Sequence, residues 1–344
     1  MVIGLCGFGY SGSGAVYDLL REYSGMTVTQ DCEMSFVYRP DGITDLQYHL
    51  FHPARFFSSD YAIKRFRNKI HKFFRLHPEF WGLKDYNGIY KLTDTYLDSL
   101  TDVKWRGWWT QDASYMEGTA FFIYRLLNKL TVPVPALNLK MQRKFYYRDM
   151  CLSVCPNSFI EKTQQYLVDL YSILGYDIVN DTVILNQAFS ADNPTASSVF
   201  YRNAKAIVVD KDPRDLYLLL KRESFKDCAW TPTDNVMDFI KYYRLMRRDY
   251  QGINKETDLL IKMEDLVYEY ESSVTNIENY LNTKKERHKY PLMYFNPQKS
   301  INNTQLFRKY PDMKKDIDLI EKELEDYLYD FDKYPVKTSF GRAF

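Results

Sequence analysis

The chain lacks the features that would place it at once in several common classes. Its 344 residues include only five cysteines: Cys6, Cys32, Cys151, Cys155 and Cys228. An odd number without regular spacing excludes a disulfide framework. Cys151-x-x-x-Cys155 has no second Cys or His pair nearby to complete a zinc site. All five read as reduced thiols, which implies a reducing compartment. No apolar run approaches the roughly 18 residues that a membrane-spanning helix needs. The N-terminus carries no basic segment ahead of an apolar stretch, so it does not read as a signal peptide, and a cytoplasmic location is expected. An excess of one charge is missing too. Lys+Arg 46 against Asp+Glu 45 leaves a net charge of +1, which gives no reason to expect a nucleic-acid partner. Any anion site must be local. There is no internal repeat and no low-complexity tract.

What is present begins with 45% hydrophobic residues over a length that supports a sizeable core. Aromatics make up 17%, with 30 tyrosines. Tyrosine-rich surfaces suit sugars and other amphipathic ligands, although a tyrosine-rich core is the plainer reading.

The most informative stretch is the first one. An apolar strand, Val2 to Cys6, runs into Gly7-Phe8-Gly9-Tyr10-Ser11-Gly12-Ser13-Gly14, and a helical pattern follows from Ala15 to Leu20. Strand, glycine-rich loop and helix make a phosphate cradle: the loop turns its N–H groups inward and the helix N-terminus adds partial positive charge. Ser11 and Ser13 add hydroxyl donors. A nucleotide-hydrolysing loop reads G-x-x-x-x-G-K-[ST]. Aligning Gly7 and Gly12 with that pattern puts Ser13 at the lysine position and Gly14 at the metal-binding hydroxyl position, so the loop is poorly equipped for a β,γ-phosphate and its Mg²⁺.

Along the chain, Met26 to Gln30 predicts a second strand. Leu50 to Leu76 predicts an amphipathic basic helix carrying Lys64, Arg65, Arg67, Lys69, Lys72 and Arg75. Its charged side is either an ordinary solvated face or a surface for an anionic or membrane-linked acceptor. Ser114–Asn128 and Asn157–Leu174 predict helices, with Val132-Pro133-Val134-Pro135 extended between them. Strands follow at Thr182–Asn186, Lys205–Asp210 and Asp258–Lys262. Helices are expected at Leu216–Arg222, Val236–Tyr250, Val274–Leu281 and Met313–Tyr329. Continuous apolar strands separated by helices imply an α/β fold with a parallel sheet covered on both faces. The strands lie towards the two ends of the sequence. The expected organisation is one domain over 1–344, with a sheet core from 1–34 and 180–344 and a large, mostly helical insertion over about 35–180.

A second constellation follows the strand that ends at Asp210: Lys211-Asp212-Pro213-Arg214-Asp215. Ligands in open α/β sheets sit beyond the carboxyl ends of the strands, so this loop belongs in the neighbourhood of the glycine loop. Pro213 suits a first helical turn, Asp212 suits its cap, and Lys211 and Arg214 bring positive charge. The charges serve either a phosphate or surface ion pairs.

Taken together, these segments resemble the sulfotransferases that use 3′-phosphoadenosine 5′-phosphosulfate (PAPS). Their 5′-phosphosulfate loop is similar to Tyr10-Ser11-Gly12-Ser13-Gly14. Their 3′-phosphate motif is similar to Lys211-Asp212-Pro213-Arg214-Asp215. A strand followed by Glu-Asp-Leu is matched at Ile261 to Leu266, and a later Ser-x-x-Asn stretch at Ser300 to Phe307. The four occur in the family's order and cover residues 1–20 and about 180–310. Tyr10 stands where the family places a base, Leu219 where it places a serine, and Lys211 where it places an arginine, which keeps the charge and loses the bidentate fork. Lys140, Arg143 or Lys299 is a candidate to replace the lost charge.

The resemblance implies a P-loop-like three-layer fold and transfer of a sulfuryl group from PAPS to a hydroxyl of a saccharide or glycolipid-like acceptor, without a metal. It implies donor contacts from Tyr10, Ser11, Gly12, Ser13, Gly14, Lys211, Arg214, Lys299, Ser300 and Asn303. In carbohydrate-type members the general base resembles a Glu shortly after the second strand, which is Glu33 here. The small-molecule branch uses a His, for which His49 and His52 are nearest. Two other readings stay open: a P-loop NTPase or kinase, because Ile207-Val208-Val209-Asp210 resembles a strand ending in a Mg²⁺-binding acid, and a binding protein that has lost its catalytic groups.

Overall fold

The structure is a computed structural model that describes residues 1–29, 32–52, 55–77, 80, 82–109, 116–131, 147–223, 231–248 and 257–341. Gln30, Asp31, Val132 to Pro135, Lys140, Arg143, Cys228 and Tyr250 lie outside them. Five strands form one sheet: β1 (Val2–Gly7), β2 (Met26–Val28), β5 (Thr182–Asn186), β6 (Ala204–Asp210) and β7 (Asp258–Lys262), in the order β2-β5-β1-β6-β7. Every pairing is parallel, with β1 at the centre: Val2 sits beside Val183 of β5 and Ala204 of β6.

The period of two along the strands divides their side chains between two cores. Val2, Cys6, Val183, Leu185, Ala206 and Val208 face one side. There they meet α3 (Arg55–Leu76), α4 (Tyr86–Leu100) and α6 (Phe159–Ile173) through Phe66, Phe74, Leu97, Leu167 and Tyr171. Ile3, Leu5, Ile184, Ile207, Val209 and Ile261 face the other side and meet α1 (Ser13–Arg21) and α11 (Tyr270–Leu281). Each fully buried aliphatic side chain contributes roughly 1.5–3 kcal/mol, so the covered strands hold the layers together. Gly4 is required in β1 because a Cβ there would lie 2.3 Å from the Phe189 ring. A third core joins α8 (Pro213–Leu218), α9 (Val236–Met246) and α13 (Lys314–Glu323).

The α/β architecture with a central parallel sheet between helices is therefore as expected, and several boundaries are not. The stretch Leu50–Leu76 is two helices: α2 (Ile43–Phe51) ends before Pro53, whose ring opposes helical backbone at its predecessor, and α3 begins at Arg55. The helix expected at Ser114–Asn128 is α5, Gly118–Thr131. The helix expected at Met313–Tyr329 stops at Glu323 and continues as short 3₁₀ turns. The middle of the chain, expected to be mostly helical, also carries an antiparallel pair, β3 (Val103–Gly107) and β4 (Arg148–Leu152), for which no strand was predicted. Three further short α-helices occur among the described residues: α7 (Thr195–Ser198), α10 (Met263–Tyr268) and α12 (Pro297–Ser300). Among the described residues no helix is long and apolar enough to cross a membrane.

Candidate functional site

All five strands of the sheet run the same way, so their carboxyl ends share one edge. A cleft of about 700 Å³ lies there and takes residues from beyond every one of them. Gly9, Tyr10, Gly12, Ser13 and Gly14 follow β1, and Glu33 follows β2. Asn186 and Gln187 close β5, Lys211 follows β6, and Met263 follows β7. Tyr294, Phe295, Asn296, Lys299, Ser300 and Asn303 form the opposite wall. Nine of the eleven site residues expected from sequence thus line one cavity. Ser11 and Arg214 do not.

The loop after β1 owes its shape to backbone that L-residues rarely adopt. Gly9, Tyr10 and Gly12 have φ of 76°, 55° and 99°. Gly12 is needed twice over, since a Cβ would also meet the Met263 sulfur at 2.6 Å. Ser11 is buried. Its hydroxyl accepts from the Phe8 amide at 3.0 Å and donates to the Val209 carbonyl at 2.6 Å, tying the loop to β6. Gln187 ties the other side: its Oε1 accepts from the Gly7 amide at 3.3 Å and its Nε2 donates to the Ser13 hydroxyl at 2.9 Å. The loop then enters α1, whose first amides lack intrahelical acceptors by helix geometry.

The loop after β6 is a charged knot. Lys211 is 1% exposed, and its ammonium donates to the Asn303 carbonyl at 2.7 Å. Asp212 caps α8 through the Arg214 amide and also accepts from the Tyr329 amide. Asp215 accepts from the amides of Gln305 and Leu306, which fixes the Ser300–Asn303 wall relative to Lys211. Glu264 accepts from the Asp212 amide. Burial pushes the Asp215 carboxyl well above its usual range, with Asp212 adding to the shift and Lys211 opposing it. Burial likewise pushes Glu264 up to about 7, against the pull of Lys211.

Arg214 departs from expectation. Its guanidinium is clamped by Asp212 at 2.7 Å and Glu321 at 2.9 Å, and it lies over the Phe307 ring. The carboxylate two residues earlier reaches it first, so it is aimed away from the cleft. Asp210, the candidate Mg²⁺ acid, is 1% exposed and bound to Arg247 at 2.6 Å and Lys262 at 3.0 Å. Burial raises its pKa, but those two cations outweigh burial and hold it at about 2. Glu33 is half-exposed at the cleft and paired with Arg39 at 2.5 Å. His49 pairs with Asp45, and His52 bonds the Tyr48 carbonyl. Neither lines the cleft.

Sequence reading missed Gln187, Asn186 and the Tyr294–Asn296 wall. The strand-end rule pointed at the residues after β5 as directly as at Lys211. The wall had no local signal, because Glu22 holds it from the C-terminal cap of α1: its buried carboxylate accepts from His288 Nε2 and from the amides of Leu292, Tyr294 and Phe295.

No protein-family model matches the chain, and no curated protein does. Among solved structures it is similar to the sulfotransferase domain of a Synechococcus olefin synthase, at 12% identity and a TM-score of 0.40, covering 90% of this chain and 82% of that one. It is similar to a sulfotransferase domain from the curacin biosynthetic pathway, at 12% identity and a TM-score of 0.38, covering 83% and 75%. A sulfotransferase from Mycobacterium avium gives 10% identity and a TM-score of 0.36, covering 98% and 78%.

Proposed function

We propose that the cleft binds PAPS and that the protein transfers its sulfuryl group to a hydroxyl of a saccharide or glycolipid-like acceptor. The observation that carries this reading is the convergence of four segments, distant in sequence, on one cavity: the glycine loop, Glu33, Lys211 and the Lys299–Asn303 wall. Three of the four resemble donor motifs of one family, and the fourth, Glu33, resembles the base of its carbohydrate-type branch. The polar groups suit an anionic nucleotide. Ser13, the start of α1, Lys211 and Lys299 offer donors, and Asn303 Oδ1 is a buried acceptor without a partner among the described residues. Gly14 has no atom within 4 Å of where a Cβ would stand, so the loop leaves room for a bulky anion.

When bound, PAPS supplies the sulfuryl group and a bisphosphate leaving group. The chain's own part is electrostatic and positional. Amides at the start of α1 and the Ser13 hydroxyl stabilise charge on the group nearest the glycine loop. Lys211 and Lys299 neutralise phosphate charge from two walls. Glu33 takes the proton of the acceptor hydroxyl as general base. Its pairing with Arg39 orients the carboxylate. Arg214 has no direct contact with the donor in this reading. It shapes the loop by holding Asp212.

Lys211→Ala tests the reading. It is expected to weaken adenosine 3′,5′-bisphosphate binding by roughly 10–100-fold, the range for a lost charge-assisted hydrogen bond, with thermal melting as the control for folding. A folded variant that keeps both binding and transfer would remove Lys211 from the site. The NTPase alternative loses its main support, because Asp210 is saturated by Arg247 and Lys262.

A further inference from the structure

The two serines of the glycine loop are not equivalent, and the difference follows from proton counting. A hydroxyl has one hydrogen. Ser11 spends its hydrogen on the Val209 carbonyl, so it has none to give a ligand. Ser13 is placed differently by Gln187. The Gly7 amide can only donate, so the Gln187 oxygen must face it and the amide NH₂ must face Ser13. Ser13 therefore accepts, and its own hydrogen has no acceptor among the described residues. It lies on the cleft wall, between Gly12 and Gly14.

We propose that Gln187 is a positioning residue: by occupying the Ser13 lone pair, it commits the Ser13 hydrogen to the anionic group held by the glycine loop. This rests on the donor-site reading above, in which that group is the 5′-phosphosulfate. It assigns a task to a side chain outside the sequence motifs, just beyond the end of β5. It also removes Ser11 from the direct contacts and makes it a structural pin between β1 and β6. Where the family's loop has a base, this chain has Tyr10, and an oriented Ser13 donor offsets part of that loss.

The experiment is calorimetric titration of the full chain with adenosine 3′,5′-bisphosphate and, in parallel, with adenosine 3′-phosphate, which lacks the 5′ group. Ser13→Ala should weaken the bisphosphate roughly tenfold or more, the range for a hydrogen bond to a charged group. Gln187→Met should weaken it severalfold in the Ser13 protein and leave it unchanged in the Ser13→Ala protein, since the two act as one unit. Gln187→Glu keeps the acceptor for the Gly7 amide, so the loop retains its staple. The new carboxylate claims the Ser13 hydrogen and repels the anion. That variant should lose more bisphosphate affinity than Gln187→Met and change 3′-phosphate binding less than twofold.

Equal losses for the two ligands would overturn the proposal, because a general distortion of the cleft affects both. So would a Gln187→Met effect that is the same with and without Ser13. A loss on Ser11→Ala as large as that on Ser13→Ala, at unchanged melting temperature, would overturn it too. If the unmutated chain binds neither ligand, the donor-site reading falls and takes this inference with it. Binding by the unmutated chain with no selective loss removes this inference alone.

Discussion

At the scale of single residues, the last two glycines of the loop serve different ends. Gly12 combines φ of 99° with a Cβ position 2.6 Å from the Met263 sulfur. Gly12→Ala should cost about 1–2 kcal/mol from left-handed backbone alone, with the displaced Met263 adding to it, read as a lower denaturation midpoint. Gly14 has ordinary backbone and open space around it. Gly14→Ala should fold as stably as the unmutated chain and weaken only ligand binding. Glu33→Gln gives the complementary case. It should lower turnover by roughly 10²–10⁴-fold, the usual worth of a general base, while donor affinity stays within a factor of two. A turnover loss matched by an equal loss of donor binding would make Glu33 a binding residue instead. Glycines, serines and a lysine beyond strand ends were legible because their spacing is local. Gln187 was not, since its two bonds join residues 180 and 174 positions away in the chain. For Arg214 the structure shows the ion-pair alternative: Asp212 stands two positions before it and captures the guanidinium.

At the scale of elements, the strands of the central sheet were the most readable part of the chain. Thr182–Asn186 and Asp258–Lys262 match their predicted bounds, because each is a short apolar run ended on both sides by polar residues, and in the inner strand Val183, Ile184 and Leu185 are all buried. The β3–β4 ribbon was invisible for the converse reason. Val103 to Arg106 are all exposed and the partner strand is distant in sequence, with no turn signal between them. The wall at 288–295 depends on α1 through Glu22, which is fully buried and accepts four hydrogen bonds. Glu22→Ala leaves the buried Phe295 amide unpaired, at about 1–3 kcal/mol, and frees the partly exposed amides of Leu292 and Tyr294. Hydrogen exchange in that segment should rise markedly while the strands of the sheet stay protected. Unchanged protection at Tyr294 and Phe295 would show that the wall holds itself.

At the scale of the whole molecule, buried charge is concentrated where β6, α8 and α10 meet, and this makes stability depend on pH. Glu264 is raised from 4.5 to about 7 by burial, and Asp215 is raised as well. An acid whose folded pKa lies above its unfolded value supports folding fully below the unfolded pKa. That support is lost as pH rises through the folded value. Stability should therefore fall from about pH 4.5 to about pH 7 through Glu264, and Glu264→Gln should flatten that part of the melting-temperature profile. The same region holds Asp210 at about 2 between Arg247 and Lys262, so this acid stays ionised throughout and adds no slope there. The parallel sheet brings this charged region and the glycine loop to one edge, and the cleft between them is the basis of the functional reading.

The measurement that tests that reading most directly is a calorimetric titration of the full chain with adenosine 3′,5′-bisphosphate, run beside ATP with Mg²⁺. The account predicts saturable binding of the bisphosphate, weakened roughly 10–100-fold in Lys211→Ala, and no magnesium-dependent uptake of ATP. Magnesium-dependent ATP binding with none of the bisphosphate would contradict it.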